Sequence, residues 1–394
     1  MIKVTHIIAG LQADGAETVL HTITSRMDAN RFQNEVISLT DLGPMAERLT
    51  ATGVPVRALG MKPGVPNPYQ VLRLAKWLRA SRPQVVQTWM YHADLIGGVA
   101  AHLAEKLPVV WGIHHTNLDS DQNKRMTIWT ARVCARLSHR IPSRIVCCSE
   151  ASRQAHAQFG YAKQKMEVIP NGFDLQKFHP DMEARNSLRQ ELGISNDAPL
   201  IGVAARFHIQ KGHRNFIDAA ARLHTLMPDV QFVLCGQGVD TGNAELMGWI
   251  KKVDGLETVV HLLGGRKDMP RFFAALDVAT SASLSEAFPM AVGEAMACGI
   301  PCVVTNVGDS AVIVGDTGKV VPASDPQSLA DAWQQVLASA PAVRQQLGRA
   351  ARDRVEQEFG ISRIVERYQE LYGRVVAAPN SVAKQHSSVA SLVG

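Results

Sequence analysis

The chain of 394 residues contains no apolar run long enough to span a membrane. A transmembrane helix needs about 20 mainly apolar residues. The short apolar run within residues 1–10 ends in a glycine-rich turn and lacks a small-residue cleavage site. We therefore predict that this run is a buried first strand rather than a signal peptide, and that the protein has no membrane span.

Disulfide and metal motifs are also missing. None of the six cysteines belongs to a CxxC pair, and the fourteen histidines include no HExxH or zinc-ligand spacing. Four cysteines lie in apolar runs, which is typical of reduced thiols in a cytoplasmic protein. The triplet Asp119–Asp121 has a metal-binding D-x-D pattern, but it follows His115-Thr116-Asn117 rather than a typical metal-site strand end. We interpret it as a loop and predict no bound metal.

The charge is unevenly distributed along the chain. Residues 1–175 contain 20 Lys and Arg against 13 Asp and Glu, a net charge of +7, whereas the remainder carries −2. A basic N-terminal half implies an anionic partner on that side. The signatures of RNA- and DNA-binding modules are absent, so we predict that nucleic acid is not this partner. Anionic lipids and phosphorylated substrates remain as candidates.

Short apolar runs alternate with helical patterns along most of the chain. Seven strand candidates lie between Ile2 and Ile169, and six more lie between Leu200 and Val321. Continuous apolar runs suit parallel strands buried on both faces, and their alternation with helices predicts doubly wound sheets. The fold class is therefore α/β, with two Rossmann-like domains predicted at residues 1–175 and 176–360.

The end of the chain has a different pattern. Pro341–Phe359 and Ile361–Val375 read as two consecutive helices, with Gly360 as the break between them. Residues 361–376 therefore form a separate helical element in this prediction. Residues 377–394 are rich in Ser, Ala and Val and are predicted to be a disordered tail.

Two cations follow the predicted strand Leu200–Ala204. Arg206 and Lys211 lie five residues apart on one loop, directly before a helix. In open parallel sheets, ligands bind at the carboxyl ends of strands, and a helix N-terminus favours anions. Together these features suit a diphosphate, although an isolated pair of this kind is more often solvated.

Two glutamates accompany another predicted helix. Glu286 lies just before this helix, Pro289 fits its first turn, Glu294 lies within it, and Gly299 fits its C-terminal stop. Carboxylates accept bidentate hydrogen bonds from sugar or ribose diols. The two glutamates would then bind different parts of one ligand; the alternative is a helix-dipole partner plus a surface residue.

Four motifs carry a family resemblance in the same order along residues 8 to about 322. They are Glu286-x7-Glu294 followed by A-M-A-C-G-I-P, Arg206-x4-Lys211-Gly212, the junction V-I-P-N-G-F-D at 168–174, and the glycine-rich loop at 10–17. This set resembles the signature of the large retaining glycosyltransferase family four (glycosyl transferases group 1), which has the GT-B fold. The closest type builds bacterial polysaccharides and glycolipids.

The resemblance implies an architecture and a set of roles. Two domains would face a cleft, with an acceptor-binding N-terminal domain, a C-terminal domain for the nucleotide-sugar, and helix 361–376 returning to the N-terminal domain. Arg206 and Lys211 would bind the diphosphate, Glu294 the ribose and Glu286 the sugar. The implied further donor contacts are Gly15 over the phosphates, the backbone of Phe288, Pro289 and Met290 at the sugar, and Gly236 and Gly238 near the base.

A histidine is also implied beside the reacting centre. By resemblance this is His115, at the end of the predicted strand Pro108–Ile113. Its neighbour His114 is the competing candidate. Adjacent strand residues point in opposite directions, so we expect only one of them to face the cleft.

The implied reaction is the transfer of a hexose, with retention, from a nucleotide-sugar to a saccharide or lipid-linked acceptor. A UDP-sugar is the first candidate donor and GDP-mannose the next, and no cofactor or metal is required. The alternatives are a nucleotide-sugar 2-epimerase of the same architecture and a non-catalytic nucleotide-sugar binder. An NAD-dependent dehydrogenase is disfavoured because no G-x-G-x-x-G follows the first strand.

Two basic stretches lie in the N-terminal half. Lys124–Arg144 has six basic residues and no acidic one, and Arg73–Arg82 has four. Apolar residues are interspersed in both, which indicates amphipathic helices. They are either solvated basic faces or a surface that holds a cytoplasmic protein peripherally on an anionic inner membrane, near a lipid-linked acceptor.

Overall fold

The computed structural model describes residues 1–12, 15–62, 67–116, 118 and 124–378, and it contains two parallel β-sheets. The strands of the first sheet are β1 (Ile2–Ile8), β2 (Phe32–Ser38), β3 (Val56–Ala58), β4 (Val85–Trp89), β5 (Val109–Ile113), β6 (Arg144–Cys147) and β7 (Met166–Val168). Their spatial order is β3-β2-β1-β4-β5-β6-β7, and every pair is parallel.

The second sheet repeats the same plan with six strands. They are β8 (Leu200–Ala204), β9 (Gln231–Cys235), β10 (Val260–Leu262), β11 (Val278–Ser281), β12 (Cys302–Thr305) and β13 (Lys319–Val321). Their order is β10-β9-β8-β11-β12-β13, again all parallel. In both sheets the order reverses beside the first strand, which opens a crevice at the carboxyl ends.

Helices connect the strands and cover the sheets. Those of the first half are α1 (Gly15–Thr24), α2 (Met45–Ala51), α3 (Pro68–Ser81), α4 (Met90–Leu103), α5 (Arg125–Ser138) and α6 (Glu150–Phe159). Those that follow are α7 (Met182–Glu191), α8 (His213–Leu226), α9 (Ala244–Ile250), α10 (Met269–Ala274), α11 (Met290–Ala297), α12 (Ser310–Val314), α13 (Pro326–Ala338), α14 (Pro341–Phe359) and α15 (Ile361–Ala377).

The sequence prediction of two doubly wound sheets is confirmed. All thirteen predicted strands are present, with ends that differ by at most two residues. The central residues of the inner strands are buried because helices cover the faces of both sheets, and this is why these strands read as continuous apolar runs. The edge strands β3, β7, β10 and β13 are less buried at their centres. One helix start differs: α11 begins at Met290, so Pro289 occupies its N-cap rather than its first turn.

The two C-terminal helices pack on different cores. Helix α14 contributes Ala351 and Val355 to the core of the second sheet. Helix α15 buries Ile364, Tyr368 and Tyr372 against the first sheet. The last helix therefore returns to the N-terminal unit, and it extends to Ala377, two residues beyond its predicted end at Val375. Residues 379–394, most of the predicted tail, lie outside the described part.

The chain passes between the two units twice, and the two crossings are hydrogen-bonded to each other. The Phe173 N–H donates to the Phe359 carbonyl at 2.8 Å, and the Ile361 N–H donates to the Phe173 carbonyl at 3.0 Å. The predicted domain limits at 175 and 360 lie beside these crossings and stay predictions.

The Phe173 side chain ties this crossing to α11. Its ring stacks on Phe288 with centroids 5.9 Å apart, and both rings meet Phe359 edge-on. Gly293 in α11 lies directly under the ring, because a Cβ at that position would come within 2.0 Å of it. This close approach explains why α11 carries a glycine in mid-helix despite its cost of about 1 kcal/mol.

We predict that Gly293→Ala lowers the free energy of unfolding by about 1–3 kcal/mol, because the added methyl group overpacks the Phe173 contact. The matched control is Gly248→Ala in α9, where no atom lies within 4 Å of the new Cβ. The control should gain up to about 1 kcal/mol from helix propensity. Urea unfolding of both variants measures the difference; equal stabilities would contradict the packing described.

Candidate functional site

A cavity of about 890 Å³ lies between the carboxyl ends of the two sheets, and residues from both units line it. We call it the donor cavity. The sequence predicts eleven site residues, with His114 as the alternative to His115, twelve residues in all. The cavity brings together eleven of these twelve. They are Gly15, His114, His115, Arg206, Lys211, Gly236, Glu286, Phe288, Pro289, Met290 and Glu294. Gly238 is the exception.

The loop after β8 contains one position whose backbone conformation only glycine can adopt. Gly212 has φ of +65°, and a Cβ there would lie 1.9 Å from the Ala282 carbonyl oxygen. The loop also pairs with its neighbour, since the Leu284 N–H donates to the Gln210 carbonyl at 2.7 Å. The two loops that carry the cations and the first glutamate therefore form one unit.

Lys211 and Glu286 form the central ion pair of the donor cavity. Lys211 Nζ lies 2.6 Å from Glu286 Oε1, and Ser283 Oγ donates to the same oxygen at 2.7 Å. Both side chains are mostly buried, so they are already oriented before any ligand binds. Arg206 lies in the same cavity and forms no hydrogen bond or ion pair within the described residues, so its charge is available to an anion.

Glu294 is a partly buried carboxyl facing the donor cavity. Burial raises its pKa to about 7, and the nearby charge of Lys177 offsets this only in part. Its carboxyl group has no hydrogen-bond partner among the residues that the structure describes. A ligand with hydroxyl donors would supply the hydrogen bonds that this partly buried carboxyl lacks.

His114 and His115 both line the donor cavity, so the expectation that only one of them faces it is wrong. Strand β5 ends at Ile113, and the alternation of side chains does not extend beyond a strand. The His114 ring stacks on Trp89 with centroids 5.1 Å apart. Burial lowers the pKa of His114 to about 4, so it is neutral near pH 7. The His115 carbonyl accepts a hydrogen bond from Ser152 Oγ at 2.8 Å.

The two glycines after β9 are placed differently. Gly236 lines the donor cavity, and its φ of +153° brings the backbone so close that a Cβ would lie 2.0 Å from the Ala205 carbonyl oxygen. Gly238 does not line it. Its carbonyl accepts a hydrogen bond from Asn243 Nδ2 at 2.7 Å, which closes the turn before α9. Its predicted contact with a nucleotide base is therefore not supported by its position.

Among the lining residues that the sequence reasoning missed, three stand out by their contacts or backbone conformation. Ser283 stands three residues before Glu286, and this proximity was a usable signal. Arg266 is held by Asp268 at 2.6 Å and Glu191 at 2.9 Å, and nothing in the sequence marks it. Met90, the first residue of α4, has φ of +70°, a left-handed conformation that is uncommon for a residue other than glycine.

Asp309 connects the two units through hydrogen bonds. Its carboxylate accepts hydrogen bonds from the backbone N–H groups of Glu150 at 2.7 Å and Ala151 at 2.9 Å, at the N-terminus of α6. Its own N–H donates to the Ala287 carbonyl at 3.1 Å. The loop that carries Glu286 is thereby attached to the helix whose Ser152 supports His115.

No metal site is apparent in the described ranges. Within them no group of three or more His, Cys, Asp and Glu is arranged to hold an ion. The D-x-D triplet at Asp119–Asp121 and the loop residue Asp14 lie outside them. Metal independence stays a prediction. Of the helices described, none is both long and apolar enough to cross a bilayer.

Comparison with known protein families finds two matching models. Residues 13–177 match the model described as Glycosyltransferase Family 4, and residues 198–339 match the model described as Glycosyl transferases group 1. Together they span well over half of the chain, one for each sheet.

Similar proteins are found along nearly the full length. The UDP-Gal:alpha-D-GlcNAc-diphosphoundecaprenol alpha-1,3-galactosyltransferase of Escherichia coli is 26% identical over 94% of this chain and 96% of its own. The putative glycosyltransferase EpsF of Bacillus subtilis is 26% identical over 90% and 91%. The crystal structure of Anabaena Alr3699/HepE in complex with UDP superposes with a TM-score of 0.83 at 25% identity, covering 95% of this chain and 100% of that one.

We predict that Glu294→Gln changes how stability depends on pH. A carboxyl with a raised pKa binds its proton more tightly when folded, so the free energy of unfolding falls as pH rises from the ordinary 4.5 to about 7. The Gln variant lacks this loss. The free energy of unfolding of the Gln variant, relative to that of the parent, should therefore increase by about 2 kcal/mol between about pH 5 and about pH 8.

The control for this measurement is Glu245→Gln, an exposed residue of α9. It should differ from the parent by less than about 0.5 kcal/mol at both pH values. Urea unfolding at each pH measures the three proteins. A Glu294→Gln curve parallel to that of the parent would show that Glu294 does not titrate in this range.

Proposed function

Because the chain belongs to family four of the glycosyltransferases (glycosyl transferases group 1), with the GT-B fold, we propose that it transfers a hexose from a UDP-sugar to a saccharide or lipid-linked acceptor. The anomeric configuration is retained in this proposal, and no metal takes part. The observation that carries it is the convergence of Arg206, Lys211, Glu286 and Glu294 in one cavity between the two sheets.

Each of these residues has a chemical role in the proposal. Arg206 and Lys211 bind the diphosphate, where two cations and the N-terminus of α8 attract negative charge. Glu294 accepts hydrogen bonds from the ribose hydroxyls. Glu286 holds the sugar hydroxyls, and its pairing with Lys211 fixes the distance between the sugar and phosphate positions.

The cations contribute most as the reaction proceeds. The bond from the sugar C1 to the β-phosphate oxygen breaks, and its electron pair stays on the departing UDP, whose negative charge therefore grows. Fixed cations stabilise this developing charge more than the ground state, and they need no reorganisation because the loop is already formed. This differential stabilisation is what accelerates the step.

Retention follows if the acceptor attacks from the face that UDP leaves. The acceptor oxygen forms the new bond to C1, and its proton passes to the departing phosphate oxygen. His115 and the neutral His114 line the cavity beside this centre and hold the donor sugar. In this proposal no side chain forms a covalent intermediate, because Glu286 is engaged by Lys211 and Ser283.

The relatives support the choice of donor and acceptor. The Anabaena protein binds UDP, and the name of the Escherichia coli relative specifies a UDP-sugar donor and a diphosphoundecaprenol acceptor. For this chain we propose the same classes of substrate: a UDP-sugar as the donor and a sugar linked to a lipid diphosphate as the acceptor. The basic helices α3 and α5 would then hold the protein peripherally on the cytoplasmic face of an anionic membrane.

The test incubates the purified protein with UDP-, GDP- and ADP-sugars in EDTA and measures release of the nucleoside diphosphate. We expect slow release from one UDP-sugar. Lys211→Ala and Arg206→Ala should each lower this rate by about 10²–10³, because each removes a donor aimed at the departing charge. Lys267→Ala, an exposed cation on a neighbouring loop that does not line the cavity, should leave it unchanged.

Product analysis separates the transferase from an epimerase of the same architecture. With a lipid-diphosphate sugar acceptor added, NMR should show a new glycosidic bond with the donor's anomeric configuration. Inversion would overturn the retaining step. A changed sugar without acceptor would indicate an epimerase, and the absence of both binding and release across the panel would contradict the proposed donor.

A further inference from the structure

A second large cavity lies in the N-terminal unit, between α3, α4 and α5. We call it the apolar cavity. Its volume is about 650 Å³, within the range of ligand sites, and its lining is mainly hydrocarbon. The large apolar side chains that shape it are Leu72, Leu95, Ile96, Val99, Met126 and Trp129. None of them lines the donor cavity.

Several of these side chains are left in contact with water. Leu72 is 60% exposed, Trp129 is 52% exposed and Met126 is 47% exposed, and all three stand around the same opening. Scattered apolar side chains are common on protein surfaces, but a contiguous group around a cavity marks an interaction site. The opening therefore favours an apolar ligand.

The helices on either side of the cavity are basic. Helix α3 carries Arg73, Lys76 and Arg79, helix α5 carries Arg125, Arg132 and Arg136, and neither helix contains an acidic residue. None of these six side chains lines the cavity itself, whose described lining includes one cation, Lys62, so an anionic group would be held by Lys62 with the basic helices beside it. The cavity offers few hydrogen-bonding groups, so it suits a hydrocarbon chain, which needs none, better than a peptide, whose backbone does.

The apolar cavity is a neighbour of the donor cavity through two elements. Helix α4 begins at Met90, which lines the donor cavity, and continues through Val99, which lines the apolar cavity. At 1.5 Å per residue these two positions are about 14 Å apart. The segment after β1 makes the second link. Ala9, directly after the strand, lines the apolar cavity, and Gly15, the first residue of α1, lines the donor cavity.

We propose that the apolar cavity binds the hydrocarbon chain of the lipid-linked acceptor, while Lys62, supported by the basic surface of α3 and α5, contacts the phosphate groups of that lipid. The sugar at the other end of the acceptor then reaches the donor cavity along the first turns of α4. This inference rests on the proposed function, and it goes further because it assigns the lipid chain to a cavity within the protein. The alternative is that the exposed apolar side chains dock on a membrane surface and no lipid chain enters the cavity.

The test is a calorimetric titration without donor, using geranyl, farnesyl and geranylgeranyl phosphate below their aggregation concentrations, with inorganic phosphate as the headgroup alone. Affinity should rise with chain length, by up to about fourfold for each methylene group buried, the factor that corresponds to about 0.8 kcal/mol. Leu72→Gln and Trp129→Gln should each weaken farnesyl phosphate binding by about tenfold or more.

The matched control is Leu226→Gln, at the end of α8 in the other unit, where the side chain is 59% exposed and lies outside the cavity. It should bind farnesyl phosphate like the parent. Affinity that is equal for all chain lengths, or equal in all variants, would overturn the proposal. Binding to anionic vesicles without binding to the monomeric phosphates would also overturn it, in favour of surface docking. No donor is present, so these outcomes are independent of the donor panel.

Discussion

The packing of Phe173 against Gly293 is the contact on which the rest of the site depends. Phe173 belongs to the first crossing between the two units and is hydrogen-bonded to the second crossing at Phe359 and Ile361. Its ring lies on α11, the helix that carries Glu294, and stacks on Phe288. The point about which the units are joined is therefore also the support of the donor cavity.

Several of the charged side chains that line the donor cavity are paired or partly neutralised. Glu286 and Lys211 neutralise each other, and burial keeps the pKa of Glu294 near 7. Arg206 is left as an available cation at the mouth. In the proposed function, the diphosphate of the donor would meet cations that the fold has already oriented. In the proposed function, the Glu294 carboxyl, which has no hydrogen-bond partner among the described residues, accepts hydrogen bonds from the ligand's hydroxyl groups.

The sequence was sufficient for the parts of this structure that depend on local chemistry. The strands were predictable because burial on both faces demands continuous apolar runs. Arg206, Lys211 and Glu286 were candidates because they follow strand ends. Glu294 was a candidate because it lies on the helix after Glu286, and the family resemblance added the role of each residue. Contacts between residues that are distant in the sequence could not be predicted in this way. Asp309 meets the N-terminus of α6 from 158 residues away, and no local pattern marks such a pair. The expectation that only one of His114 and His115 faces the cavity relied on strand alternation, but β5 ends at Ile113, before both residues. The backbone conformation of Met90 depends on tertiary packing, which no propensity describes.

The return of α15 to the first sheet has a consequence for the order of folding during synthesis. Ile364, Tyr368, Tyr372 and the other buried residues of α15 complete a core whose remaining members, up to Ile169, leave the ribosome before the second sheet has been made. Throughout that interval the first sheet carries an apolar face without its cover, while the second sheet has all its strands and α14 available. The unit that is translated first is thus finished last, and the nascent chain must keep that face from aggregating until its final helix emerges.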